Sequence, residues 1–260
     1  AQKILECLKE HPDLNTVVAA LESTSVYSIH IANYLSSCEE LMHIKPYVFV
    51  VNPKCTANYK KSYIGLGKSD PIDAFVIADY ARAGNIETEP WRGSQFLALK
   101  RLTRHRLHLV ESMTKETTYL VSNLYLKFSE LQMLEVENQP FCDIYGSTSS
   151  SVLVEYPSPE EIIDSSEEDL VSFLAEKSRN RIKDISKTAD LLKKAARDSY
   201  RLDKALYEPL NVSIASSFNC IETFKREIKA IDQAIEREIK GLNPNAFIIL
   251  QSIDGIGPVF

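Results

Sequence analysis

An α/β domain followed by a long α-helical coiled-coil or bundle region is the architecture to which three features of the chain point. Two short apolar runs rich in β-branched residues, Thr16–Leu21 and Tyr47–Val51, lie early in the sequence with a helical stretch between them. From Phe96 to about Leu134 apolar residues recur at helical spacing, uninterrupted by Gly or Pro. Only 8 glycines occur in 260 residues, which favours long helices over turn-rich β structure.

Taken in order, Gln2 to His11 reads as a helix with Ile4, Leu5 and Leu8 on one face. Thr16–Leu21 suits a buried strand, and Glu22 follows it directly. Ser23-Thr24-Ser25 then open a helix over Val26–Leu35. Tyr47–Val51 is a second buried strand, ended by Asn52-Pro53. Strands alternating with helices predict parallel pairing. A helix runs from Asp70 to about Ala83, with Gly84-Asn85 as its stop. After the long helical stretch, Gly146–Ser151 reads as a polar linker. Short helices are expected from Pro159 and over Glu167–Ala175, longer ones over Ile182–Leu206 and Asn211–Leu242, with Pro209 marking a break. The domain boundaries that follow are 1–92, 93–241 and 242–260.

The net charge is −6, with 44% hydrophobic and 25% charged residues. No apolar run approaches membrane-spanning length, and no signal-peptide pattern opens the chain. Cys7, Cys38, Cys55, Cys142 and Cys220 are scattered without metal-binding or paired spacing, as in a reduced, cytoplasmic protein. The first residue is Ala1 and the last ones stop in mid-pattern, so the chain reads as a piece of a longer protein.

The chemistry concentrates in Lys68-Ser69-Asp70-Pro71-Ile72-Asp73-Ala74. Residues three apart share a helix face, so Asp70 and Asp73 can aim at one divalent cation. An all-oxygen, carboxylate-rich site suits Mg²⁺ or Mn²⁺. The same residues also suit a plain helix start, with an acid as cap, Pro at the first position and negative charge on the dipole. Glu22, placed where an apolar strand ends, adds a third acid at the sheet edge where α/β proteins gather ligands.

Ala20-Leu21-Glu22-Ser23-Thr24-Ser25-Val26-Tyr27, Val51-Asn52-Pro53 and Lys68–Ala74, in this order, resemble the RuvC-like (RNase H-like) domain of the IS110-family transposases. The terminal Leu250–Pro258 stretch resembles the start of that family's C-terminal domain. The resemblance implies a DNA transposase or recombinase with a D-E-D-D tetrad, of which Glu22, Asp70 and Asp73 supply the last three members. It places the first Asp upstream of Ala1 and a nucleophilic serine beyond Phe260, so the chain alone is expected to be inactive. It implies Mg²⁺ (or Mn²⁺) as cofactor and DNA and a structured guide RNA as partners, and the coiled-coil pattern of the helical region leads us to expect a homo-oligomer assembled through it.

Cations cluster in an otherwise acidic chain. Lys54, Lys60, Lys61 and Lys68 precede the Asp pair, and Lys100, Arg101, Arg104, Arg106, Lys115 and Lys127 follow one another along the long helix. A further basic stretch runs from Lys177 to Lys204. Such clusters are either solvated helix faces or phosphate contacts. His105 and His108 lack a third nitrogen or sulfur ligand nearby, and Tyr119, Tyr125 and Phe128 read as packing residues. Two other functions fit the same residues: a RuvC-like nuclease using water, and a non-catalytic nucleic-acid-binding or dimerisation module.

Overall fold

The two apolar runs form the strands among the described residues. The computed structural model describes residues 2–13, 16–44, 46–135 and 138–255. The chain divides into two units, residues 1–101 with 238–244 and residues 102–237 with 245–260.

The first unit contains α1 (Gln2–Glu10), β1 (Val18–Glu22), α2 (Tyr27–Ser37), a 3-10 turn (Glu39–Leu41), β2 (Tyr47–Val51), α3 (Pro53–Lys60), α4 (Asp70–Arg82) and the beginning of α5 (Ser94–Lys127). β1 and β2 pair in parallel, Val18 opposite Tyr47 and Glu22 opposite Val51. Parallel strands need a crossover, and α2 supplies it while packing on both strands. Ala32, Leu41, Val48, Val51 and Val76 are buried. The Trp91 N–H donates to the Val48 carbonyl (2.6 Å) and its indole to Asn33 Oδ1 (3.0 Å), tying the segment before α5 to β2 and α2. The α/β expectation is thus met by a small parallel sheet in a chain that is otherwise mostly helical.

Asn52-Pro53 does more than end a strand. Asn52 Oδ1 accepts the N–H of Lys54 (3.0 Å) and Pro53 occupies the first turn, so the pair starts α3.

The second unit holds the rest of α5, then α6 (Glu130–Met133), α7 (Ser147–Glu155), α8 (Pro159–Asp164), α9 (Glu167–Ser178), α10 (Ile185–Asp198), α11 (Lys204–Leu242) as far as Arg237, and α12 (Pro244–Gln251) from Asn245. Its core joins Leu120, Leu124 and Phe128 of the α5 end to Leu153, Leu192 and Ile214. Three side-chain pairs show α5 and α11 running antiparallel: Arg106 with Asp232 (2.6 Å), Glu116 with Ser217 (2.5 Å) and Lys127 with Asn211 (2.6 Å). The apolar stripe near the end of α5 is therefore covered within the chain.

Several sequence expectations are corrected. The Gly146–Ser151 segment is not a linker but the start of α7. Its serines bond back to carbonyls, as Ser151 Oγ does to Ser147 (2.9 Å), and burial of Val152 and Leu153 outweighs their weak helix propensity. Pro209 does not break α11 but lies inside it. It stands in the second turn, where its missing N–H deprives only the Ala205 carbonyl. The long helix ends at Lys127 rather than near Leu134, and α10 ends at Asp198 rather than near Leu206. These two ends are clasped together: the Tyr200 N–H donates to Ser129 Oγ (3.1 Å) and the Glu130 N–H to Ser199 Oγ (3.2 Å). Phe128 packs in the core as expected, whereas Tyr119 and Tyr125 are exposed. Of the Leu250–Pro258 stretch, the part beyond Gly255 lies outside the described residues.

Candidate active site

Glu22 is the last residue of β1, and the backbone continues the ladder beyond it, the Ser23 N–H donating to the Val51 carbonyl (2.9 Å). Both parallel strands thus finish at one edge, the place where such sheets collect ligands. α4 packs on β1, and a cleft between them is lined by Val18, Ala20 and Glu22 from the strand and by Ala74, Ile77 and Ala78 from the helix. The alanines leave room for this cleft, which a larger side chain in the first turns of α4 would fill.

Ser69, rather than Asp70, takes the cap position of α4, and Asp70 is its first helical residue. Asp70 is exposed. The Asp73 N–H donates to the Ser69 carbonyl (2.9 Å), closing the first turn. Lys60 Nζ, at the end of α3, lies 2.5 Å from Asp73 Oδ1. The Asp73 carboxylate is therefore already a cation-binding group, and the cation on it is an ammonium.

An all-carboxylate donor set fits a hard divalent ion in kind. Among the described residues, however, no three His, Cys, Asp or Glu side chains stand close enough together to hold a metal. The structure brings Glu22 to the cleft wall shared with Ala74, the residue after Asp73, and brings Lys60 onto Asp73. It does not close Glu22, Asp70 and Asp73 into a finished cage.

A neighbouring residue escaped the sequence reading. Asp79, two turns beyond Asp73 on α4, accepts hydrogen bonds at Oδ2 from the Tyr63 and Tyr59 hydroxyls, the latter at 2.8 Å. Arg82 donates to its Oδ1 (2.7 Å). The Tyr63 hydroxyl, the Tyr59 hydroxyl and Arg82, in that order, hold the Asp79 carboxyl down at about 2. Donation to Asp79 in turn pushes the Tyr63 hydroxyl well above its ordinary value. The rings of Tyr59 and Tyr80 meet edge to face at 5.3 Å, so α3 and α4 are joined by polar and aromatic contacts at once. Tyr59 lies on α3 and Tyr63 three residues past its end, so no helical spacing in the sequence announced their meeting at Asp79.

The expected phosphate-binding cations fall into different circumstances. Lys54 and Lys68 are exposed, at the start of α3 and just before α4. Lys61 is exposed and donates to Asn58 Oδ1 (2.9 Å). Lys60 is taken by Asp73. Arg101 and Arg104 are exposed on α5, whereas Arg106 is bound to Asp232. Lys127 is corrected outright: it is buried, donating to the Leu153 carbonyl and to Asn211 Oδ1, both at 2.6 Å, and cannot contact a phosphate. The His105 and His108 rings stack on α5 with centroids 6.1 Å apart.

Among the described residues no helix is long and apolar enough to cross a membrane, and the cysteines are unpaired thiols. No curated protein matches the chain. Residues 1–129, which span β1, β2, the Asp pair and all of α5, match a family model of IS110-type DEDD transposases, described as Transposase. On that match residues 1–129 belong to the IS110 transposase family.

Proposed function

We propose that the first unit is the RNase H-like (RuvC-like) catalytic part of a transposase that cleaves and rejoins DNA in a Mg²⁺-dependent reaction. The observation that carries this reading is the meeting of Glu22, at the carboxyl edge of the sheet, with the first turns of α4 along one cleft. Glu22, Asp70 and Asp73 are the residues that would hold Mg²⁺ or Mn²⁺. When bound, such an ion stabilises the charge that develops on a phosphate under attack. The chain's own residues prepare that environment. Asp70 and Asp73 project from one turn of α4, and the Asp79 contacts fix that helix against α3. Lys60 neutralises Asp73 and, with 24% of its side chain accessible, can exchange that carboxylate for a DNA phosphate. Lys54, Lys61 and Lys68 surround the same helix ends, and Arg101 and Arg104 add sequence-independent phosphate contacts on α5.

In this reading residues 1–92 form the catalytic domain, 93–241 the helical region and 242–260 the start of a further domain. The protein works in the cytoplasm on DNA with a structured guide RNA. It assembles as a homo-oligomer through the helical region, where Leu107, Tyr119 and Leu126 stand exposed on α5. The test is strand cleavage by the full-length protein carrying Glu22→Gln or Asp73→Asn. Loss of Mg²⁺-dependent cleavage with DNA binding retained is expected. Unchanged cleavage by both variants would overturn the reading.

A second reading, that of a non-catalytic nucleic-acid-binding module, is favoured by the ion pair on Asp73 and by the lack, among the described residues, of any three clustered candidate ligands. It expects the same two variants to leave the full-length protein's activity intact.

A further inference from the structure

The second unit contains a cleft separate in kind from the acid site. It lies between the start of α7, the end of α9 and the start of α10. Lys177, Arg179, Arg181, Lys183 and Lys187 line it, against the acids Asp143 and Asp184. Both acids serve the backbone: Asp143 Oδ1 accepts the Tyr145 N–H (2.8 Å) and Asp184 Oδ1 the Lys187 N–H (3.0 Å). Lys177 is held by Glu155 (2.7 Å) and lies over the Phe173 ring. Arg179, Arg181, Lys183 and Lys187 are exposed, and among the described residues none of them is in an ion pair.

These four cations do not trail into solvent on a loose loop. Arg179 and Asn180 both adopt left-handed backbone, with φ of 51° and 56°. Two such non-glycine residues in succession persist only where their surroundings hold them. Here the Asn180 N–H donates to the Ala175 carbonyl (3.0 Å) and the Arg181 N–H to that of Ser178 (3.1 Å), closing α9. Asp184 caps α10 immediately afterwards. The loop 179–183 is therefore pinned at both ends. Lys187 stands in the first turn of α10, where the helix dipole disfavours a cation. The start of α7 adds Ser147 and Thr148 to the lining, and Gly146 gives that helix no side-chain cap.

The lining is not wholly polar. Pro140, Phe141, Ile182 and Leu191 contribute apolar surface beside the cations. Phosphates need cations and N–H groups, whereas exposed bases need apolar or aromatic surface. A duplex hides its bases and would use only the first half of this lining.

We propose that this cleft binds an unpaired nucleic-acid segment, its phosphates on Arg179, Arg181, Lys183 and Lys187 and its bases against Phe141 and Ile182. The site operates whether or not Glu22, Asp70 and Asp73 hold a metal, so failure of the acid-site reading would leave it standing.

The test is fluorescence anisotropy on the whole chain with labelled single strands of about 12 nucleotides, as DNA and as RNA, and a blunt duplex of the same length. Single strands of either sugar are expected to bind, and the two arms tell which is preferred. Replacing all four cations (R179Q, R181Q, K183Q and K187Q together) is expected to weaken strand binding at least ~10-fold and to lower the slope of log K against log salt by up to ~3. Circular dichroism confirms that the exposed substitutions leave the helices intact. Phe141→Leu is expected to weaken single-strand binding several-fold without changing duplex binding. The proposal is overturned if wild-type chain binds neither strand, if the fourfold variant binds within ~2-fold of wild type with an unchanged slope, or if Phe141→Leu affects strand and duplex alike.

Discussion

Lys60 Nζ sits 2.5 Å from Asp73 Oδ1, bridging the end of α3 to the first turn of α4. One candidate metal ligand is thus occupied by the protein's own cation. The pair is partly exposed, with 24% and 38% of the two side chains accessible, so solvent screens it and it is worth ~0.2–1 kcal/mol.

We predict that Lys60→Met frees Asp73 and raises Mn²⁺ affinity by a factor of about 1.4 to 5, equivalent to that energy. Titration calorimetry measures it. An unchanged or weaker affinity would show that Lys60 does not compete for the carboxylate.

Asp79 makes stability sensitive to acid. Its folded value of about 2 lies below the ordinary 3.8. The stabilisation is therefore complete above about 3.8 and disappears as pH falls toward 2. Asp79→Asn is expected to remove this dependence and to return the Tyr63 hydroxyl toward its ordinary value. Ultraviolet titration of the tyrosines, with acid unfolding followed by circular dichroism, checks both. A Tyr63 that still titrates abnormally high in the variant would refute the link.

Lys127 has the opposite sign. Burial pushes its ammonium down to about 8 from 10.5, against the pull of Glu161. Between these values the unfolded chain binds the extra proton, so stability rises with pH, by about 3 kcal/mol over the window. Lys127→Met is expected to flatten that rise. Urea unfolding at pH 7.5 and 10 on both proteins measures it, and equal slopes would sink the assignment.

Arg106 and Asp232 join α5 to α11 at 2.6 Å, with about a third of each side chain exposed. A double-mutant cycle with Arg106→Gln and Asp232→Asn is expected to give a coupling of ~0.5–1 kcal/mol. No coupling in urea unfolding would mean that the antiparallel pairing owes nothing to this bridge.

The elements around the candidate site were legible locally. Tyr47–Val51 is the strand that its β-branched run announces, and α4 begins at the Ser-Asp-Pro that spells a helix start. The serine-rich Ser147–Ser151 was not legible as helix, because its own propensity is poor and only burial of Val152 and Leu153 supplies the driving force. Asp79 was missed for a related reason: its partners lie 20 and 16 residues away, Tyr59 on α3 and Tyr63 just past its end.

The sequence by itself determined the two strands, the start of α4 to within a residue, and Glu22 as the residue that closes the first strand. Side-chain period, cap chemistry and turn residues act over a few positions, so they can be read in one dimension. Only the tertiary structure decided that Lys60 holds Asp73, that Lys127 is buried while Arg101 and Arg104 stay exposed, and that four cations gather round a cleft beyond α9. Whether a charge is solvated, paired or desolvated depends on which distant helix packs against it, and no local pattern carries that information.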